Sequence, residues 1–292
     1  MSGICHNRVV IITGAGGGLG AAYAKAFAQE GAKVVVNEIN QEAAQNTVDA
    51  IQSAGGEAVV NTSDITNYAD SENAVKQAID SFGDLHVVVN NAGICRDRMF
   101  ASMTEAEWDA VIAVHLKGHF CIASHAVHYW RDQKKSGKEV NARIINTSSG
   151  AGLNGSIGQS NYAAAKGGIA SLTLNQSAEL GRYGVTANGL APAARTGMTE
   201  EVFADVMKKP QDGFDYFDPM NVAPLVVWLG SEESKFVTGR IFEVEGGKIS
   251  IADGWRSTKG VDKGARWEAA EVGGAVDKLL SEATPPQKVY GA

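Results

Sequence analysis

Short apolar runs alternate with longer segments of helical spacing along most of the chain. Val9–Thr13, Lys33–Asn37, Ala58–Asn61, Leu85–Asn90, Arg143–Thr147, Thr186–Leu190 and Arg240–Val244 read as strands. Several are apolar at nearly every position, as parallel strands covered on both faces must be. Between them, Leu19–Gln29, Gln41–Ser53, Ser71–Phe82, Glu105–Tyr129 and Tyr162–Gly181 carry helical spacing. This alternation predicts an α/β fold with one doubly wound parallel sheet and helices on both faces.

No long linker or shift of composition interrupts residues 1–250, which are expected to form one domain. Two stretches stand outside the alternation. Residues 197–220 carry Phe203, Phe214, Tyr216 and Phe217, with Pro210 and Pro219 interrupting helix. Residues 251–292 form a C-terminal extension with a short helix at Val276–Ser281, followed by Pro285-Pro286. The extension is expected to pack on the core or on a neighbouring subunit.

Composition narrows the class. The 292 residues include 34 glycines and only 6 prolines, so sharp turns and close backbone approaches are expected, without a fibrous repeat. A net charge of −7 argues against a nucleic-acid surface, which needs clustered Lys and Arg. The basic run Lys134, Lys135 and Lys138 reads as a solvated loop. Cys5, Cys95 and Cys121 are odd in number and form no CxxC pair, which fits reduced thiols and a cytoplasmic protein. No signal-peptide pattern and no uninterrupted apolar stretch of membrane-spanning length is read from the residues, so no membrane partner is expected.

The first candidate site is Thr13-Gly14-Ala15-Gly16-Gly17-Gly18-Leu19-Gly20, which follows a strand and opens a helix. Bare backbone there lets a pyrophosphate reach the helix N-terminus, where free N–H groups and the macrodipole favour an anion. Gly14, Gly18, Leu19 and Gly20 are the expected contacts of a Rossmann-type dinucleotide site. Glu38 ends the second strand, where a carboxylate accepts from the adenosine ribose hydroxyls and repels a 2′-phosphate. No Lys or Arg lies between Thr13 and Ala24, so NAD is favoured over NADP. Asp64, closing the third strand, is placed to receive the adenine amino group, with Ile65 beside it.

The second candidate site is Tyr162-Ala163-Ala164-Ala165-Lys166, with Tyr and Lys on one helix face. For a phenol to act as a base near neutrality its pKa must fall by roughly three units, about 4 kcal/mol. One cation about 4 Å away at an effective dielectric near 20 supplies roughly that much. Lys166 is expected to provide it, together with an oxidised nicotinamide. Ser149 lies thirteen positions before Tyr162, just past a strand.

Taken together, these residues resemble the short-chain dehydrogenase/reductase family. The likeness rests on Thr13–Gly20, Asn90-Asn91-Ala92-Gly93, Ser149, Tyr162 with Lys166, Pro192 with Thr196, and Val237-Thr238-Gly239. It covers about the first 250 residues. It implies a homodimer or homotetramer and a lid over about 197–220. By resemblance Tyr162 is the general acid/base, Lys166 binds the nicotinamide ribose and Ser149 holds the substrate oxygen. Asn91, Ala92 and Gly93 border the cofactor, and Pro192 and Thr196 hold its nicotinamide end.

The chain departs from the usual family pattern at two places. His115 stands where Asn is usual, which puts the proton relay in doubt; His115 or a backbone carbonyl could hold the relay water. Ala193 replaces Gly after Pro192. Val114-His115-Leu116, Gly158–Tyr162, Val222–Leu229 and Phe242-Glu243-Val244 resemble the (3R)-hydroxyacyl-CoA dehydrogenase domains of peroxisomal multifunctional enzymes. That likeness implies a hydrophobic substrate, an acyl-CoA or a steroid. Arg195, Lys208 and Lys209 read either as contacts for CoA phosphates or as solvated charge. His119, His125 and His128 read as packing or interface residues rather than metal ligands. The competing reading is a redox-inactive protein that senses NAD through the same fold, which would have no need of Ser149, Tyr162 and Lys166 together.

Overall fold

Ten of the strand residues nearest the sheet centre, from Val9 to Val89, are apolar, and their side chains alternate between two separate cores. Val10, Ile12, Val34, Val36, Val87 and Val89 join one core, and Val9, Ile11, Val35 and Val88 join the other. Both faces must therefore be covered, and helices cover them. The computed structural model describes residues 3–197, 207–252, 254–285 and 287–289.

The chain begins β1 (Val9–Thr13), α1 (Gly18–Gln29), β2 (Lys33–Asn37), α2 (Gln41–Ser53), β3 (Glu57–Asn61), α3 (Tyr68–Phe82) and β4 (Val87–Asn90). Helices α4 (Glu105–Ile112) and α5 (Gly118–Lys135) are joined by a π-helical turn at Ala113–Lys117. Then come β5 (Ala142–Thr147), α6 (Gly150–Asn154), α7 (Ser160–Leu180) and β6 (Val185–Ala193). After the residues left undescribed, α8 (Ala223–Gly230), β7 (Ile241–Glu245), β8 (Lys248–Ala252) and α9 (Ala269–Glu282) follow.

The sheet order is β3-β2-β1-β4-β5-β6-β7-β8. Every neighbouring pair is parallel except β7–β8. The chain runs outward from β1 to β2 and β3, then crosses back to place β4 on the other side of β1, so the strand order reverses there. Ligands of open α/β sheets bind in the crevice beyond the strand ends at such a reversal. The expected doubly wound sheet is present, with one antiparallel strand added at its edge.

That strand, β8, was not expected, and it carries the sheet past residue 250. Gly246-Gly247 is a two-residue hairpin turn, with Gly246 at φ +51°. Alternating residues flank it, which is the local signal that β8 leaves in the sequence. In the extension, α9 has no buried residue. The Val289 side chain nevertheless comes up to Gly155, where an added Cβ would stand 3.1 Å from its Cγ1.

The helical run Glu105–Lys135 is long enough and has a high enough mean hydropathy to cross a membrane, although charged residues interrupt it. In the fold its apolar side lies on the sheet: Ile122, Ala126 and Trp130 are buried there, and Trp130 Nε1 donates to the Leu85 carbonyl at 2.7 Å.

On the opposite face Phe27 of α1 is fully buried against α8. A Cβ on Gly230 would come within 2.5 Å of its ring. Phe27→Ala should therefore leave a cavity between two helices and the sheet. We expect a loss of about 3–5 kcal/mol in urea unfolding; a loss below about 1 kcal/mol would mean that this helix crossing closes up on its own.

Candidate active site

A cleft of about 810 Å³ opens along the carboxyl ends of the strands. Gly14, Gly18, Leu19 and Glu38 line one end, and Ser149, Tyr162 and Lys166 line the middle. Asn91, Ala92, Gly93, His115, Pro192 and Thr196 also reach it.

At the first end, α1 begins without a side-chain cap and without an acidic residue in its first turn. Its leading N–H groups therefore have no intrahelical partner and face the cleft. A Cβ at Gly17 would meet nothing within 4 Å. This bare, electropositive cradle fits a dinucleotide pyrophosphate. Gly14 and Gly20 also allow a close approach within the loop. A Cβ on Gly14 would stand 2.7 Å from Ala92 Cα, and one on Gly20 would stand 2.2 Å from the Gly14 carbonyl oxygen. These two glycines let the loop close on Asn91–Ala92, and Gly14, Gly17 and Gly18 border the cleft. Asn91 Nδ2 donates to the Thr13 carbonyl at 3.0 Å, and Thr13 Oγ1 accepts from the Asn91 and Ala92 amides.

Glu38 lies over the loop with Oε1 accepting from the Asn40 amide at 3.1 Å, so the carboxylate is already oriented. Asp64 and Ile65 are not among the residues that line the cleft. The third strand ends at Asn61, three residues before Asp64. Asp64 Oδ1 accepts from the Thr66 amide and hydroxyl, both at 2.8 Å. The Ile65 side chain is buried in the core below α5, where Gly118 leaves it room.

The middle of the cleft is built on β5 and α7. Ser149 caps α6, its Oγ accepting from the Ala151 amide at 3.2 Å. Ser148 Oγ donates to the Lys166 carbonyl at 2.8 Å, fastening the strand end to the helix. Lys166 is buried, and its Nζ donates to the Thr147 carbonyl at 2.6 Å. It stands 5.5 Å from the centre of the Tyr162 ring.

Here the electrostatics differ from expectation. Burial pushes the Tyr162 hydroxyl up to about 12, with a Ser149 hydrogen bond pulling against it. Burial brings Lys166 down to about 7. Both groups lose water on burial, and one of the three Lys166 N–H bonds is taken by the Thr147 carbonyl.

His115 sits on the π-helical turn, edge-on to the Tyr162 ring at 5.1 Å. Its Nε2 stands 2.8 Å from the Ile94 carbonyl oxygen, and its buried Nδ1 has no partner among the described residues. His119 is also buried, and its Nε2 accepts from the Thr147 amide at 3.4 Å. His125 Nε2 meets the Tyr68 carbonyl at 2.7 Å.

Several lining residues escaped the sequence reading. Asp97 and Gln159 form one wall, joined at 2.7 Å, and Glu243, Glu245, Lys248 and Ser250 of the β7–β8 hairpin form another. Beyond β6, Arg195 is paired with Asp215 and donates to the Met207 carbonyl at 2.8 Å, so it is neither a free phosphate contact nor a solvated charge. Phe217 lines the cleft, Phe214 is exposed and the Tyr216 ring lies on Gly246; Phe203 falls outside the described residues.

The family model for short chain dehydrogenases matches residues 8–207. The chain belongs to the short-chain dehydrogenase family. It is 45% identical over 251 residues to hydroxyacyl-CoA dehydrogenase ChsB1 of Mycobacterium tuberculosis, covering 84% of this chain and 79% of that one. It is 41% identical over 262 residues to peroxisomal multifunctional enzyme type 2 of Mus musculus, covering 87% of this chain but 33% of that protein. The crystal structure of a short chain dehydrogenase from Mycobacterium avium superposes with a TM-score of 0.91 at 54% identity, over 99% of this chain and all of that one. As an oxidoreductase of this family, the chain has its acid/base candidates where the fold places its crevice.

The buried His115 makes stability depend on acid. Burial and the nearby Lys166 bring its pKa from 6.5 down to about 3. Between those values the unfolded chain holds the proton and the folded chain does not, so stability falls as pH drops through that window. Near pH 4.5 about 2–3 kcal/mol is lost through this group. His115→Asn should remove that share and leave the contribution of His119 in place. Urea unfolding of both proteins at pH 7 and pH 4.5 measures the difference; equal acid losses would refute it.

Proposed function

We propose that the protein is an NAD(H)-dependent dehydrogenase/reductase that interconverts a secondary alcohol and a ketone on a hydrophobic substrate, with 3-hydroxyacyl-CoA the leading form and hydroxysteroid the second. The observation that carries this reading is one continuous cleft, with the uncapped start of α1 at one end and Ser149, Tyr162 and Lys166 in the middle.

The residues divide the work along that cleft. The amides at the start of α1 and the backbone of Gly17 and Gly18 would hold the pyrophosphate. Glu38 would accept from the adenosine ribose hydroxyls, and its charge disfavours a 2′-phosphate, which supports NAD over NADP. Pro192 and Thr196 border the nicotinamide end, and Lys166 would reach the nicotinamide ribose. When bound, the nicotinamide supplies or accepts the hydride.

Tyr162 handles the proton. With its hydroxyl held up to about 12 it stays protonated near neutrality, the form needed to protonate a ketone oxygen during reduction. Ser149 Oγ donates to the same oxygen and stabilises the charge developing on it. In the reverse direction Tyr162 must first lose its proton, and a cation close to the phenol favours that loss. Lys166, brought down to about 7, changes its own charge easily in this range.

The likeness to the Mycobacterium tuberculosis hydroxyacyl-CoA dehydrogenase supports an acyl-CoA substrate. So does the name of a Thauera aromatica relative, a substituted succinyl-CoA dehydrogenase subunit, at 37% identity. A homodimer or homotetramer is proposed through the outer sides of α5 and α7, where Phe120 and Leu174 are each 51% exposed. A cytoplasmic location is proposed from the free thiols Cys5, Cys95 and Cys121.

Two measurements test this reading. NADH should bind more tightly than NADPH in a fluorescence titration, and Glu38→Ala should weaken NADH by roughly tenfold or more as its ribose hydrogen bonds are lost. Equal affinity for both cofactors in the wild type would overturn the NAD assignment. In turnover, acetoacetyl-CoA, a longer 3-ketoacyl-CoA and a 17-ketosteroid are compared with a small polar ketone. Tyr162→Phe should lower kcat by about 10²–10⁴ while NADH binding is kept. A preference for the small polar ketone would sink the substrate class, and full activity in Tyr162→Phe would sink the mechanism.

A further inference from the structure

Asn161 directly precedes Tyr162 and is completely buried. Its Nδ2 donates to the Arg96 carbonyl at 3.0 Å and to the Glu107 carbonyl at 3.2 Å. Its Oδ1 accepts from the Tyr162 amide at 2.8 Å. One side chain therefore joins the segment after β4, helix α4 and the first turn of α7, using both amide protons and its oxygen.

The position matters because of where Tyr162 stands in its helix. It is the third residue of α7, and the residue before that helix, Gln159, makes no side-chain cap. The Tyr162 amide belongs to the first turn, whose N–H groups have no intrahelical partner. Asn161 takes that amide, and Asn161 is itself held by the opposite wall of the cleft. Three other bonds cross between the same segments: Arg98 N to the Gly158 carbonyl at 2.7 Å, Gln159 Nε2 to Asp97 at 2.7 Å and the Arg98–Glu107 ion pair at 2.7 Å. Arg98 and Asp97 are exposed, so water competes for these bonds. The Asn161 side chain is fully buried, so water has no access to replace its amide once it is removed, and the Arg96 and Glu107 carbonyls lose that donor.

We propose that Asn161 is a positioning residue: it clamps the 94–98 wall of the cleft to the first turn of α7 and so sets where the Tyr162 hydroxyl stands against Ser149. The geometry is independent of the function proposed above; its consequence for turnover rests on that reading. Misplacing a reacting group by about 1 Å can cost on the order of 100-fold in rate.

The experiment compares Asn161→Ala and Asn161→Asp with the wild type. The Asp variant keeps the acceptor for the Tyr162 amide but sets an oxygen against two carbonyl oxygens. Three quantities are read: kcat and KM on the best carbonyl substrate, NADH affinity by fluorescence, and the alkylation rate of Cys95. Cys95 lies in the clamped wall and is half-buried, whereas Cys5 and Cys121 are fully buried and report global opening. Both variants should lose roughly 10–100-fold in kcat, by the same positional argument, with NADH affinity within about twofold. Cys95 should react several-fold faster, with no change at Cys5 or Cys121. Thr173→Val removes a buried hydrogen-bonded hydroxyl lower on α7 and serves as the control for plain destabilisation.

The proposal is overturned if Cys95 reacts at the wild-type rate in both variants. It is also overturned if the kcat loss is no larger than in Thr173→Val at a matched drop in Tm. If Asn161→Ala does not fold, the isosteric Asn161→Asp carries the comparison. If the wild type reduces no carbonyl at all, the proposed function fails, and the Cys95 rate alone decides the clamp.

Discussion

A lysine ammonium buried in the fold, with a backbone carbonyl as its hydrogen-bond partner, is the constraint around which the centre of this protein is arranged. Lys166 is 2% exposed and donates to the Thr147 carbonyl at 2.6 Å. An amine taken out of water keeps a proton only where an acceptor is fixed in front of it. Thr147 ends β5, so the strand end must be held still. It is held from three sides: by the β6 ladder through Leu190, by His119 on the Thr147 amide and by Ser148 Oγ on the Lys166 carbonyl. Ser149 and Tyr162 follow from this joint, one leaving the strand and the other one helical turn above the lysine. Stabilising Lys166 and placing Ser149 and Tyr162 are therefore one structural problem.

What could be read from the residues alone tracks the range of the interactions. The alternating apolar runs stated the two-faced sheet, because burial on both faces needs no knowledge of partners. The glycine loop and the Tyr162–Lys166 spacing were legible because each lies within one turn or one loop. Asp64 and Ile65 do not line the cleft. Their place was not legible because the chain past Asn61 is shaped by the Asp64 side chain accepting from Thr66 and by Ile65 packing against Gly118, contacts that strand spacing does not show. Arg195 was read as a candidate phosphate contact because Asp215, twenty residues on, cannot be paired with it from sequence. The β8 strand was missed although Gly246-Gly247 marks a hairpin turn, because the last parallel strand was taken to end the sheet. The rise of the Tyr162 pKa was invisible for another reason: spacing shows the neighbouring lysine but not the burial that raises the phenol.

The two ends of the cleft are made of different material. The end expected to take the cofactor is backbone: amides at the start of α1, and glycines that let the loop close on Asn91 and Ala92. Backbone geometry of that kind tolerates few side chains, so it leaves a strong mark in sequence. The opposite end is walled by side chains from the Cys95–Asp97 segment, the Ser156–Gln159 segment and the β7–β8 hairpin. These segments join through bonds such as Ser156 to Gln159 and Gln159 to Asp97, which substitutions can exchange without touching the sheet.

That division explains why family and substrate are legible to different degrees. A wall of exchangeable side chains can be altered while the crevice, the lysine and the strand end stay in place, so relatives with one fold can accept different carbonyl compounds. It also sets a requirement. If the wall is free to vary, something buried must keep it in register with the helix that carries the phenol. Asn161 meets that requirement by geometry: its three bonds reach the wall, the helix before the π-helical turn and the Tyr162 amide, from a side chain that is itself fully buried. Asn161 reaches the Arg96 and Glu107 backbone carbonyls and the Tyr162 amide, so this joint depends on main-chain groups and not on which side chains the wall carries.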